Sequence, residues 1–158
     1  MTLETVYYIT QIIAVIAVVA SLIFVGLQVR QGAEQTRLNT SAVKATSHHA
    51  ISDSFNHLNT TLATHPDLAR VWDAGMKGVD NLKPEDLTAF HSMLIAYVRI
   101  FETLYFQSET GTMAKELWEA EKRVLSFMFA MPGVQQWWAL PLLPFSDAFR
   151  AEVDGLQG

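Results

Sequence analysis

The sequence predicts an all-α protein in which a single N-terminal transmembrane helix is followed by a small helical bundle. Three observations predict it. Residues 5–29 carry no charged side chain. Beyond them, apolar residues recur at helical spacing, and prolines stand where new helices would open. No stretch alternates with period two, and no hairpin dipeptide sits between apolar runs. The division expected is an anchor over residues 1–30, a juxtamembrane stalk over 31–50 and a helical bundle over 51–158.

The anchor comes first. Its 25 uncharged residues would form a helix of roughly 37 Å at the usual rise, enough to cross a hydrocarbon core of about 30 Å with some tilt. The apolar side chains of its central part, among them Ile12, Ile13, Val15, Ile16, Leu22, Ile23 and Phe24, together favour insertion by about 3 to 6 kcal/mol. Tyr7 and Tyr8 suit one interface, and Gln28 with Arg30 the other. A cleaved signal peptide is disfavoured, because Glu4 stands where positive charge is needed and the apolar run is too long. Arg30, Arg37 and Lys44 all follow the span and none precedes it. That bias predicts a single-pass topology, N-terminus outside and C-terminal domain in the cytoplasm. The small side chains of Ala17 and Ser21, four residues apart, fit a face on which two such helices could approach closely.

After the span the chain is polar from Arg30 to about His48, with Leu38 isolated. This segment reads either as a solvated helix continuing the anchor or as a stalk ordered by a partner, and Gly32 is where a bend falls most easily. Ile51, Phe55, Leu58 and Leu62 then share one helical face. Pro66 with Asp67 opens a helix whose stripe is Leu68, Val71, Trp72 and Met76, ending at Gly78. Pro84, followed by Glu85 and Asp86, opens the longest one, with Leu87, Phe90, Leu94, Val98, Phe101 and Tyr105 inward. A further helix is expected from about residue 113 to 130, with Leu117, Val124, Leu125 and Met128 inward, interrupted by Pro132 and Gly133. Ser146 caps a short last element.

Composition narrows the function classes. There is no cysteine, which removes disulfides and thiolate metal sites. The net charge is −5, and all of that excess lies beyond residue 65. An acidic domain without a basic stripe excludes nucleic acid as a partner, since binding it needs clustered Lys and Arg to displace counterions.

Four groups of residues stand out. His49, Asp53 and His57, at i, i+4 and i+8, would line one helical stripe able to offer two imidazoles and a carboxylate to a metal. The same stripe, among Ser52, Asn56 and Thr60, also reads as an ordinary solvated face. Arg99 and Glu102 lie within the most apolar helix with His91 two turns earlier, either as a structural polar network or as the lining of a ligand pocket. The run from Trp137 to Phe145, headed by Trp137 and Trp138, either folds back to close the core or meets a membrane or partner. Ala17 and Ser21 are the fourth group. No phosphate loop, nucleophile elbow or paired Glu-x-x-His motif is present, so neither catalysis nor a cofactor is expected.

The membrane exit Leu27, Gln28, Val29, Arg30 and Gln31, the helix bearing Tyr97, Arg99, Phe101 and Glu102, and the late Pro132, Gly133, Trp137 and Trp138 resemble a group of uncharacterised small bacterial single-pass membrane proteins over nearly the whole chain. The chain departs from that group at Gly32 and Ala33, where Asn and Thr would be expected. The resemblance implies the architecture, the bacterial inner membrane as its place, and no activity. A membrane-anchored helical interaction module follows as the first expectation, associating with itself or with a membrane protein. A small-ligand sensor is the second, and a metal-dependent enzyme using the His/Asp stripe the third.

Overall fold

The computed structural model describes residues 2–156. Among them are six α-helices and one 3-10 turn, with no strand: α1 (Leu3–Thr64), α2 (Pro66–Lys77), the 3-10 turn (Val79–Asn81), α3 (Pro84–Glu109), α4 (Lys115–Phe129), α5 (Pro132–Trp138) and α6 (Asp147–Asp154). The all-α expectation therefore holds, and α1 is one helix long and apolar enough to cross a membrane. The chain divides into two compact units, Met1–Val43 and Lys44–Gly158, each described by itself below.

In the first unit the apolar stretch of α1 has no buried side chain. The helix continues through Gly32 without a break, so the polar segment extends the anchor as helix. A Cβ at Gly32 would meet nothing within 4 Å. Local bonds support this segment. Thr36 and Thr40 donate their hydroxyls to the carbonyls of Gly32 and Thr36, each at 2.9 Å. The Arg37 guanidinium sits 2.7 Å from Glu34 and holds that carboxyl below its ordinary range. Both partners are exposed, so water screens the pair.

The second unit is the bundle, and α3 is its axis. Phe90, Leu94, Val98, Phe101 and Leu104 are buried along it at the helical period. Phe55, from the last turns of α1, meets Tyr97 and Phe101 edge-on at centroid distances of 5.7 and 5.4 Å, an arrangement aromatic quadrupoles favour. Pro66 and Pro84 each occupy the first turn of their helices, where the missing N–H costs nothing. Arg70 of α2 reaches Asp86 of α3 at 3.0 Å.

Helices α2 and α5 cross where two glycines meet. A Cβ on Gly133 would lie 1.6 Å from the carbonyl oxygen of Gly75, and one on Gly75 would lie 2.4 Å from the Phe90 ring. The backbones therefore touch, and only hydrogen fits between them.

Two side chains expected inside are not. Leu87 is 40% exposed and Val124 47% exposed. Leu87 borders an open pocket with Val79 and Leu140 and is not packed into the core. In α4 the buried set is Trp118, Leu125, Met128 and Phe129, a phase that leaves Val124 to one side. Trp118 is the core anchor of this helix and packs edge-on against Tyr105 at 5.8 Å. The helix also opens later than expected, at Lys115, after a turn in which Gly111 takes a φ of 71°.

Tyr97 carries a prediction about pH. Burial pushes its hydroxyl above the ordinary value of 10.0, and the negative charge of Glu121 adds to the shift. A folded-state value above the unfolded one means that the stability linked to this proton is fully present below pH 10.0. It is lost as pH rises through the folded value. Tyr97→Phe is thus expected to leave thermal stability at pH 7 nearly unchanged and to flatten the loss of stability above pH 10.0, measured by melting curves at both pH values.

Candidate functional site: an apolar pocket beside His91

The polar groups singled out in the sequence separate into different environments. Arg99 donates to the Glu102 carboxylate, to the backbone oxygen of Pro144, and stacks over Phe145 at 5.0 Å. The other carboxylate oxygen, Glu102 Oε1, accepts from the Ser146 backbone N–H at 2.8 Å. Glu102 is 5% exposed, so both of its oxygens are held by partners whose geometry the fold requires. Arg99 and Glu102 form a clamp that fastens residues 144–146 onto α3, just before Ser146 accepts from the Phe149 N–H and starts α6. Of the two readings open in the sequence, the geometry matches the structural network.

His91 does not join that clamp. Its Nδ1 lies 2.9 Å from Trp137 Nε1. An indole N–H can only donate, so Nδ1 accepts and the neutral ring carries its proton on Nε2. The ring stands edge-on to Trp137 at 6.1 Å, and with Trp137 it forms one wall of a pocket of about 580 Å³. The other walls come from the 3-10 turn (Val79, Asp80), from α3 (Leu87, Thr88, Phe90) and from α5 with the residues after it (Gln136, Leu140). The opposing elements are fixed to one another by Gln136, whose Oε1 accepts the Val79 N–H at 2.7 Å. Leu87 and Leu140, 40% and 46% exposed, form its rim.

Residues Val79, Asp80, Thr88 and Gln136 were not singled out from the sequence. The one local signal for them was the 3-10 turn after Gly78, whose backbone N–H groups need acceptors from elsewhere. Gln136 provides one.

The metal reading is not supported by this arrangement. Among the described residues no three His, Cys, Asp or Glu side chains come together as a metal-holding group. Asp53 and His57 do border a second, shallower depression, with Ser54, Leu58, Ala96 and Ile100. His49 is absent from it and instead lies edge-on to its neighbour His48 at 6.4 Å. Two turns of helix separate the ends of the stripe, too far for one ion to collect all three side chains.

The tryptophans require a correction. Trp137 is 2% and Trp138 5% exposed, so neither is available to a membrane or partner, and the core-closing reading replaces the interaction reading. Trp138 Nε1 donates to Asp154 at 2.8 Å, its ring meets Phe129 edge-on at 5.0 Å, and Arg150 lies over it at 4.7 Å. Of the large apolar side chains in this stretch, Leu140 and Leu142 are the exposed ones, beside exposed Ala139, Pro141 and Pro144. The reason is geometric: α5 faces the core with Gly133, Val134, Trp137 and Trp138, and Leu143 and Phe145 follow them inward.

In the first unit, Ala17 and Ser21 are exposed. The Ser21 hydroxyl donates to the Ala17 carbonyl at 2.9 Å, and the pair leaves a shallow groove between Val18, Leu22 and Val25. Compared with known protein families, curated proteins and solved structures, the chain matches none of them.

Proposed function

We propose that the protein is a membrane-anchored helical interaction module without catalysis of its own, held in the bacterial inner membrane with the acidic bundle on the cytoplasmic side. The observation that carries this reading is α1, whose residues 3–46 are exposed throughout. Residues 31–50 of that helix carry three Thr, two Ser, one Asn and one Gly, residue types of weak helix propensity, and Leu38 and Val43 as their large apolar side chains. A polar single helix of such composition is marginal in water by itself, so a partner lying along it stabilises it. A second copy meets this need directly, because the Ala17 and Ser21 groove in the span allows two helices to approach. A membrane-protein subunit laid along the same face meets it equally.

The orientation rests on Arg30, Arg37 and Lys44 following the span. The resemblance to small bacterial single-pass proteins agrees with this arrangement. Gentle solubilisation of the full chain, followed by mass determination and identification of co-purifying proteins, tests the proposal. The expected result is a discrete dimer or complex; a monodisperse monomer without a partner would overturn it.

A further inference from the structure

We infer that the pocket beside His91 binds a neutral, mainly apolar small molecule that carries a carbonyl-type hydrogen-bond acceptor, with His91 Nε2–H as the donor that orients it. Three features select this chemistry. The volume, about 580 Å³, lies within the roughly 300 to 1,000 Å³ of small-molecule sites, which are typically apolar with a few placed polar groups.

Second, Trp137 fixes the tautomer of His91. With Nδ1 occupied as an acceptor, the neutral ring has a single polar function left, a donor at Nε2. Among the described residues Nε2 has no protein partner, and no buried side-chain nitrogen or oxygen in the structure lacks one. Nε2 is therefore reached by solvent, and His91 borders the pocket. A ligand acceptor would replace water there without disturbing any bond that holds the fold.

Third, the pocket's charge selects against anions. Asp80 is the carboxylate among its lining residues, and no Lys or Arg lines it. A carboxylate or phosphate would find no cation and would be repelled by Asp80. A ketone, amide or lactone keeps the acceptor and avoids the repulsion. Gln136 Oε1 already accepts the Val79 N–H, and its amide nitrogen is a further neutral donor for the same kind of acceptor.

The test uses the full chain in lipid nanodiscs with ¹⁵N-labelled tryptophan, whose four indoles are observed by NMR. Acetophenone is the probe, ethylbenzene the same ring without an acceptor, and benzoate the anionic counterpart. The expected result is a saturable shift of the Trp137 indole with acetophenone while Trp118 stays in place. Ethylbenzene should need concentrations about tenfold higher, as loss of one net hydrogen bond implies, and benzoate, which keeps an acceptor but meets Asp80 without a cation, should also bind more weakly.

Leu140→Trp, a change at an exposed rim position that fills the cavity, should itself displace the Trp137 indole signal and abolish any further shift with acetophenone, while Trp118 stays where it was. His91→Met, whose thioether leaves Trp137 a weak acceptor and offers no donor, tests the donor itself and should weaken acetophenone more than ethylbenzene. A shift that grows linearly with acetophenone, as partition into lipid would produce, would overturn the inference. So would equal or tighter binding of benzoate, or an undiminished shift in Leu140→Trp.

Discussion

Gly133→Ala is expected to destabilise the bundle by at least about 3 kcal/mol, the upper end for inserting a methyl group into a packed interior. The added carbon would lie 1.6 Å from the Gly75 carbonyl oxygen. The obstacle is backbone, not the flexible end of a side chain, so relief requires α2 and α5 to move apart. That movement would also pull Gln136 away from the Val79 N–H, 2.7 Å distant. Against a total stability of about 5 to 15 kcal/mol for a domain, the loss is large. Gly32→Ala is the natural comparison: nothing lies within 4 Å of its added carbon, and an exposed helix interior gains about 1 kcal/mol from the same change. Chemical denaturation followed by tryptophan fluorescence measures the loss in Gly133→Ala, and circular dichroism the gain in Gly32→Ala, whose unit holds no tryptophan.

Trp137→Ala and Trp138→Ala are each expected to cost about 3 to 5 kcal/mol, as removal of a buried aromatic does. Trp137 is among the largest fully enclosed side chains, and it contacts Trp138 and Phe145 as well as His91. Its removal opens the pocket floor and frees Phe145, whose backbone neighbours Pro144 and Ser146 are the partners of Arg99 and Glu102. The effect should thus spread to α6, seen as faster amide exchange over Asp147–Asp154. Trp138→Ala additionally strips Asp154 of its indole donor, now at 2.8 Å. Were either tryptophan a surface contact for a partner, its alanine variant would keep full stability and native exchange at α6.

The helices themselves were legible because their signals are local. Pro66 and Pro84 open α2 and α3, and Ser146 caps α6, where the sequence places them. The stripe through Phe90, Leu94, Val98 and Phe101 is the buried face of α3. What the sequence did not display are the contacts between distant residues. The acceptor for Trp137 lies 46 positions away at His91, and the Pro144 oxygen 45 positions from Arg99. Periodicity cannot say which helix end lies beside which.

For the same reason, the close approach of Gly75 and Gly133 left no mark beyond two glycines in helical surroundings. Leu87 and Val124 were misplaced because an apolar residue at helical phase is buried only where another element reaches it. The candidate pocket was partly visible. His91 was singled out, but with the wrong companions, since Arg99 and Glu102 share its helix and not its surroundings.

In the proposed function α1 serves both as an anchor and as a contact surface. The most direct test of that dual role is photo-cross-linking in intact membranes from single positions along residues 17–43, with Leu38 and Val43, both 55% exposed, as the key sites. A partner along one face predicts a discrete cross-linked product whose yield rises and falls with a period of about 3.6 residues. Absence of any product at every position, with the chain extracted as a monomer, would contradict it.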